Sequence, residues 1–379
     1  MKFNFHVSPS IKCPLSTQSI MRDLTIGLGF VFTLSCIYYG ASFGMEYAVH
    51  AITLLISSLI TMGICESLFA KIMKKDIKSA LLNSFGWVTS IILVMMCPIT
   101  ITNYAVVIAT VFAIVFAKLL FGGFGQNIFN PAAVGRAVIM AAFAGASTSL
   151  MTGATPTSEL ANTLHWIPTG DNLSSVISGY KGFTSLFLGT YPGGIGETFT
   201  LAILLVGVVL SLRQVIDWRV PSVYLGTMAI MTAVIALLSG LGSYNGIPAI
   251  IWYPFLHICT GGAAFGAVFM LTDPVTSPTS AAGRTIFAMG AAILTVMIRL
   301  AGNLPEGCLY SILLMNMLTP MIESFLDGKQ LEIQAKIKKC MICLAVVALG
   351  ICFFCSNSAK TKQQESTAYV AQIVEKEAI

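Results

Sequence analysis

Gly122-Gly-Phe-Gly-Gln-Asn-Ile-Phe-Asn130-Pro131-Ala-Ala-Val-Gly135-Arg136 is the stretch on which the fold turns. It interrupts two apolar runs. A second stretch has the same grammar: Gly261-Gly-Ala-Ala-Phe-Gly266, then Thr272-Asp273-Pro274-Val-Thr276-Ser277-Pro278, then Gly283-Arg284. Each carries a glycine pair, an Asn-Pro or Asp-Pro break, and a Gly-Arg that opens the next run. Breaks that recur in two halves predict an internally repeated membrane fold with discontinuous helices. In a bilayer, backbone groups freed by a break are tolerable only where they line a cavity or meet a ligand. Gly122, Gly123, Asn127, Asn130, Arg136, Asp273 and Thr276 are therefore candidates for a ligand pocket or an ion path, and Glu306 joins them as an acid beside a later run. The plainer alternative is a pair of ordinary Gly/Pro turns, which are frequent between membrane helices.

Composition sets the class. The chain has 379 residues, 56% of them hydrophobic and 10% charged, with a mean hydropathy of +0.84. A soluble domain of this size does not stay in solution with so little charge. The expected fold is an all-α polytopic membrane protein with about 10–11 transmembrane helices in two repeated halves, roughly 20 residues making a full span. Apolar runs fall near 24–43, 47–67, 80–98, 102–121, 133–148, 198–212, 221–240, 250–271, 284–302, 307–326 and 340–356. The polar N-terminus, 1–23, precedes a long first run that reads as a retained helix, not a cleaved signal. The membrane domain is expected over 24–328, and 329–379 is an extension with its own apolar segment at 340–356.

The net charge of +5 reads as topology. Lys71, Lys74, Lys75 and Lys78 cluster in one short loop, Arg213 and Arg219 in another, and Lys329, Lys336, Lys338 and Lys339 in a third. Threading the runs with the N-terminus in the cytoplasm puts all three on the cytoplasmic side, and puts the loop 148–198 and the polar, mobile tail 357–379 outside. No basic stripe interleaved with aromatics points to nucleic acid.

The outside loop opens with Ser149-Leu-Met-Thr152-Gly153-Ala154-Thr155-Pro-Thr-Ser-Glu159. Small residues beside Thr152 and Thr155 leave a hydroxyl open to covalent modification, although loops of this composition are common. The acids in or beside the later spans are Asp273, Glu306 and Glu323, with Glu66 and Glu197 nearer segment ends. An intramembrane acid is a functional candidate by default. Glu197 and Glu306 read equally as helix caps, and Asp273 as a turn brace. His6, His50, His165 and His257 are isolated, so no metal site is expected. Cys340-x-x-Cys343 and Cys352-x-x-Cys355 lie too far apart on one helix to share an ion, and read as small apolar residues. Gly193-Gly-Ile-Gly-Glu197 lacks the strand–loop–helix setting of a nucleotide site, so no NADH binding is expected.

In order along the chain stand Ser8-Pro9, Ser16-Thr-Gln-Ser-Ile-Met-Arg22-Asp23, Phe121 to Arg136, Thr152-Gly-Ala-Thr-Pro156, Gly193-Gly-Ile-Gly-Glu197-Thr, Ile216-Asp217-Trp218-Arg219-Val-Pro221, Thr272 to Pro278, Pro305-Glu306-Gly307 and Leu313-Leu-Met-Asn316. Across most of residues 8–328 the chain resembles the RnfD component of the Rnf electron-transport complex, a relative of the NqrB component of the sodium-pumping NADH:quinone reductase. The resemblance implies a translocase subunit of the inner membrane, not catalytic alone, that couples electron transfer to movement of Na+ or H+. It implies FMN joined by a phosphoester to Thr155, with Thr152, Gly153 and Ala154 as recognition context on the non-cytoplasmic side. Ser149 stands where the family pattern has an acid. A non-covalent riboflavin between membrane helices is implied as well, with the two Gly-rich breaks as its candidate pocket. The implied partners are Rnf subunits A, B, C, E and G, one of them a second covalent-FMN protein, together with the lipid bilayer. Similar chains end soon after the position of Asp327, so the extension is a departure. The competing readings are the quinone-reductase relative, which needs a quinone site, and a free-standing channel or secondary transporter, which needs no flavin.

Overall fold

The computed structural model describes residues 16–143, 157, 160–161, 164–168, 182–191, 193–302, 307–328 and 330–377. Helices dominate them: α1 (Thr17–Ser42), α2 (Met45–Ile72), α3 (Ile77–Ser84), α4 (Gly86–Met95), α5 (Asn103–Val111, continued as a π-helix over Phe112–Leu119) and α6 (Pro131–Ala142). After the loop come α7 (Phe183–Leu188), α8 (Thr200–Leu212), α9 (Arg219–Ser239), α10 (Ala249–Cys259), α11 (Ala263–Phe265, continued as a π-helix over Gly266–Met270), α12 (Ala281–Ala301), α13 (Cys308–Leu326) and α14 (Gln330–Glu377). Among the described residues there is no strand, only isolated bridges such as Pro98 with Gly194.

Among the described residues six helices are long and apolar enough to cross a membrane, and two bent pairs, α3–α4 and α10–α11, bring the number to eight if each pair is one span. Three shorter apolar helices, Asn103–Leu119, Pro131–Ala142 and Thr200–Leu212, fill the remaining runs. Their brevity has a local cause. Asn130 ends the irregular stretch by capping α6, its Oδ1 accepting from the Ala132 and Ala133 amides at 3.0 and 3.4 Å, with Pro131 at the first helical position. Gly122, Gly123 and Gly125 all have positive φ, which only glycine adopts freely. The helix α1 starts at Thr17, inside the stretch read as a polar N-terminus, because Ser16 and Ser19 form a reciprocal capping box.

Contacts sort the helix ends into two groups. At one end Asp23 near the start of α1 pairs with Arg213 at the finish of α8 at 3.0 Å, Asp217 pairs with Arg284 at the start of α12 at 2.9 Å, and Glu323 near the finish of α13 accepts from the Thr279 amide and hydroxyl, both at 2.9 Å. This is the basic end of the bundle. At the far end Tyr39 donates to the Gly193 carbonyl at 3.1 Å, and Lys360 and Lys362 on α14 meet the last carbonyls of α9 and α12. The apolar segments therefore alternate in direction, and, with the three shorter helices counted beside the longer ones, the described residues divide into α1 to α6 and α8 to α13, five segments each. An odd number makes the second five run opposite to the first. The third span is the bent one in both: 47° between Ser84 and Gly86, 72° between Cys259 and Ala263. By span order these two bends are the equivalent breaks. The stretches 122–136 and 271–284, alike in sequence, instead meet each other at the basic end, where Asn130 Nδ2 donates to the Met270 carbonyl at 3.5 Å.

The extension is an integral part of the bundle. The polar tail does not break it; α14 runs on to Glu377. Ala348, Cys352, Cys355 and Ala359 are buried where α14 crosses α9 and α12, small residues that let backbones approach. Cys340 is half-buried and Cys343 exposed, so the two cysteine pairs face different surroundings. Phe353 and Phe354 point outward, as lipid-facing residues do. Replacing Ala359, fully buried, by Phe is expected to lower the thermal midpoint of the detergent-purified protein, overpacking costing about 1–3 kcal/mol, whereas Phe354→Ala leaves it within about 1 °C. Equal midpoints for the two variants would show that α14 is not docked as described.

Candidate functional site

A narrow cavity with about 60 Å³ of room opens at the basic end between the two halves. Apolar walls come from Phe85, Val88, Ile92, Phe124, Ile216 and Phe269, and polar groups from Lys118, Asn127, Asn130, Thr272 and Asp273. An apolar slot with a few convergent polar groups is the usual lining of a small-molecule pocket, but this one is far smaller than the roughly 300–1,000 Å³ typical of such sites. Asn127 donates to the Phe129 carbonyl at 3.0 Å, which shapes the wall. Asp273 accepts from the Thr276 hydroxyl at 3.0 Å and the Val275 amide at 3.3 Å. Burial raises the Asp273 carboxyl above its ordinary range, and those two donors and the charge of Lys118 act the other way. A neighbouring, more open cavity of about 440 Å³ is lined by Gln214, Asp217, Arg219 and Arg284. There, burial pushes the Asp217 carboxyl up, but the Arg219 amide and the Arg284 guanidinium outweigh it and hold the group below its ordinary range.

The floor of the first cavity is the α3–α4 break. A helix that stops inside a bilayer leaves carbonyls at one half-end and amides at the next, equivalent to about half a charge of each sign. Lys118 and Glu66, both 2% exposed, meet that need. Lys118 Nζ donates to the Ser84 carbonyl, the last of α3, at 2.6 Å, and to Glu66 Oε1 at 3.0 Å. The Ser84 hydroxyl donates to the same Glu66 oxygen. Glu66 Oε1 also lies against Gly86, the first residue of α4, where a Cβ would collide with it. Glu66 Oε2 is buried and has no hydrogen-bond partner.

The α10–α11 break repeats the arrangement toward the far end. Arg299, 1% exposed, donates from Nη1 to the His257 carbonyl at 2.6 Å and from Nη2 to the Thr260 carbonyl at 3.0 Å, at the finish of α10. Its guanidinium sits 5.5 Å from the Trp166 ring centre, and Trp166 stacks on His257. On the other side of the break Glu197 packs against Gly262, where a Cβ would come within 2.8 Å of its Oε1. Thr157 reaches this break too: a Cβ on Gly261 would meet its methyl at 2.9 Å and Arg299 Nη2 at 3.2 Å. Each bent span thus has a buried base on its carbonyl half-end and a buried glutamate at a glycine on its amide half-end.

Residues 4–332 match the model of the NQR2, RnfD, RnfE family. The chain belongs to this family. It is 34% identical to the D subunit of the proton-translocating ferredoxin:NAD(+) oxidoreductase complex of Clostridium ljungdahlii, over 85% of this chain and 94% of that one. It is 36% identical to the D subunit of the Na(+)-translocating ferredoxin:NAD(+) oxidoreductase complex of Acetobacterium woodii, over 88% and 96%. Against the B subunit of the Na(+)-translocating NADH-quinone reductase of Ectopseudomonas mendocina it is 33% identical, over 88% of this chain and 78% of the relative.

In this family member the candidates read from sequence separate into three sets. Asn127, Asn130 and Asp273 converge on the cavity, with Thr276 buried behind Asp273 and held through its carbonyl by the Thr319 hydroxyl at 2.9 Å. Gly122 and Gly123 form the turn after α5, and Arg136 is buried on α6; none of these three lines the cavity. Thr152, Gly153, Ala154, Thr155 and Glu306 lie outside the described residues, as does Ser149. Glu323 caps the 279 turn. Lys118 and Arg299 went unread in the sequence, although each is a base inside an apolar run, which is as strong a signal as an acid there.

Removing one member of a buried pair strands the other. Glu66→Gln or Lys118→Met alone is expected to destabilise the protein by about 3–5 kcal/mol, and the double variant to recover most of the loss. A double-mutant cycle on thermal or denaturant midpoints checks this; additive losses would mean the two groups do not depend on each other.

Proposed function

We propose that this chain is the RnfD component of an Rnf-type ion-translocating ferredoxin:NAD+ oxidoreductase, carrying covalent FMN on Thr155 and a second, non-covalent flavin between its helices. The observation that carries the reading is the charge-capped, twice-broken helix bundle in a chain that spans 94–96% of two ferredoxin:NAD(+) oxidoreductase relatives. The lower 78% coverage of the quinone-reductase relative favours the Rnf branch over the NqrB one. A solitary transporter has no use for the Thr152–Thr155 acceptor.

Flavins supply one- and two-electron transfer when bound, and the chain supplies position and field. The narrow cavity beside Lys118 has too little room for a flavin ring, and its donors on Asn127, Asn130, Thr272 and Lys118 are bonded within the chain. The basic loops, with Lys71, Lys74, Lys75, Lys78, Arg213 and Arg219, all belong to the cavity end, which makes that end cytoplasmic by the positive-inside rule. Thr157, two residues after Thr155 in sequence, is buried against Gly261 toward the far end, which agrees with an acceptor on the non-cytoplasmic side. Expected partners are the remaining Rnf subunits A, B, C, E and G in the same inner membrane. Transfer of one charge against the membrane potential costs about 2.3 kcal/mol per 100 mV, so the electron steps must release more than that.

Intact mass of the purified protein, wild type beside Thr155→Ala, tests the covalent flavin. The expected result is one esterified FMN on the wild type, with in-gel fluorescence lost in the variant while extractable flavin remains. Wild-type protein without an adduct, made alongside a flavin transferase, would overturn the assignment of Thr155 and give weight to Ser149 in place of the acid.

A further inference from the structure

We propose that the cytoplasmic end of the α8–α9 hairpin binds one anionic phospholipid of the inner leaflet, with its phosphate between Arg219 and Arg284 and an acyl chain in the groove that α8 and α9 leave open.

The groove comes from how the two helices are held apart. α8 and α9 follow each other across the short turn 213–218, yet they do not pack along their lengths. Each rests instead on the π-helix Gly266–Met270. Gly207 lets α8 come close to it, since a Cβ there would meet Val268 Cγ2 at 2.9 Å. Val268 thus floors a cleft of about 360 Å³, walled by Leu204, Val208 and Leu212 on one side and by Pro221 and Leu225 on the other. Val208 and Leu212 are exposed at its rim, as lipid-facing residues are. From Leu204 to Leu212 the cleft runs about 12 Å, at 1.5 Å per residue.

At its cytoplasmic mouth the cleft meets the 440 Å³ cavity, and Ser211 and Trp218 line both. Two guanidiniums and one carboxylate line that cavity, Arg219, Arg284 and Asp217, so one positive charge is left over. Asp217 is already engaged: Oδ2 accepts from Arg284 Nη1 at 2.9 Å and Oδ1 from the Arg219 amide at 3.0 Å. Arg284 Nε donates to the Pro278 carbonyl at 2.9 Å, which fixes the fork and leaves Nη2 for a ligand. Among the described residues the Arg219 guanidinium donates no hydrogen bond. The donors beside Lys118 are spent within the chain; these are not.

The shape and the charge select the occupant together. Basic cavities between membrane helices at the cytoplasmic leaflet favour anionic headgroups, and a guanidinium fork matches phosphate geometry. The exposed Trp218 sits at the junction, where an interfacial ring meets the headgroup level. A protein helix about 10 Å across would take roughly 900 Å³ over the length of the cleft, so it does not enter a groove of 360 Å³. A single hydrocarbon chain does. Bound in this way, the phosphate ties the α8–α9 turn to the start of α12.

The test uses the full-length protein, purified in detergent and stripped of lipid. It is titrated with phosphatidylglycerol, phosphatidylcholine or inorganic phosphate, and bound molecules are counted by native mass spectrometry. The wild type is expected to take one phosphatidylglycerol per chain and to hold phosphatidylcholine about fivefold more weakly or worse. Arg219→Gln, a change on an exposed side chain, is expected to weaken phosphatidylglycerol by about fivefold and to leave phosphatidylcholine as it was. Val208→Trp, which fills the groove from its rim, is expected to weaken both lipids. Lys71→Gln removes a charge at the same end but outside the cavity, and is expected to change neither. Equal wild-type affinity for the two lipids would overturn the proposal, and that comparison needs no variant to fold. Equal losses in Lys71→Gln and Arg219→Gln would overturn it too, by showing a diffuse field in place of a site. So would displacement of phosphatidylglycerol by inorganic phosphate at equal concentration, the mark of an anion site with no use for the groove. A photocrosslinking side chain at position 208, in intact membranes, is expected to capture phospholipid; capture of another protein chain there would overturn the lipid assignment.

Discussion

A helix cannot end inside a membrane without leaving partial charge behind. This chain ends two of its helices there, between Ser84 and Gly86 and between Cys259 and Ala263. Water is not at hand to solvate the loose carbonyls and amides, so the protein brings charges of its own. Much of the interior follows from that need. Lys118 and Arg299 are buried because a carbonyl end requires a cation. Glu66 and Glu197 are buried because the next half-helix begins beside a glycine that leaves room for a carboxylate. The glycines at 86 and 262 are consequences of the same demand, since any side chain there would fill the space the glutamate occupies.

The two breaks solve one problem with different bases, an arginine and a lysine. The arginine side is walled by Trp166, Tyr253 and His257, buried rings in contact one after the next. The lysine side opens onto a cavity whose polar groups come from both halves, Asn127 and Asn130 from the first and Thr272 and Asp273 from the second. The pocket is thus shared between halves, and a change in how they pack changes the pocket.

Membrane class, helix runs and the breaks at the two Gly/Pro stretches were legible in sequence, because length, hydropathy and turn chemistry act locally. Asn127, Asn130 and Asp273 could be named as candidates for the same reason: each sits in a break that announces itself. The pairing of breaks was not legible. Stretches 122–136 and 261–284 look alike because 122–136 and the 271–284 part of the second both return the chain at the basic end, whereas by span order the counterpart of the 260–262 break is the step at Phe85-Gly86, one left-handed residue with no proline and no glycine pair. Lys118 and Arg299 were passed over because their role depends on carbonyls 34 and 39–42 residues away in the chain. No periodicity encodes such a distance. The extension was read as an appendage, since its small residues make a seam only once α9 and α12 stand beside them.

That last helix carries a consequence for how the molecule is made. Lys360 reaches the Leu238 carbonyl at 2.7 Å, and Lys362 the Ala301 carbonyl at 3.1 Å, so α14 caps two helices that were synthesised long before it. A chain emerging from the ribosome in order inserts α9 and α12 with those carbonyls unfilled. They stay so until the segment carrying Lys360 and Lys362 has been made and has docked. Docking of α14 is therefore also the step that fills those helix ends.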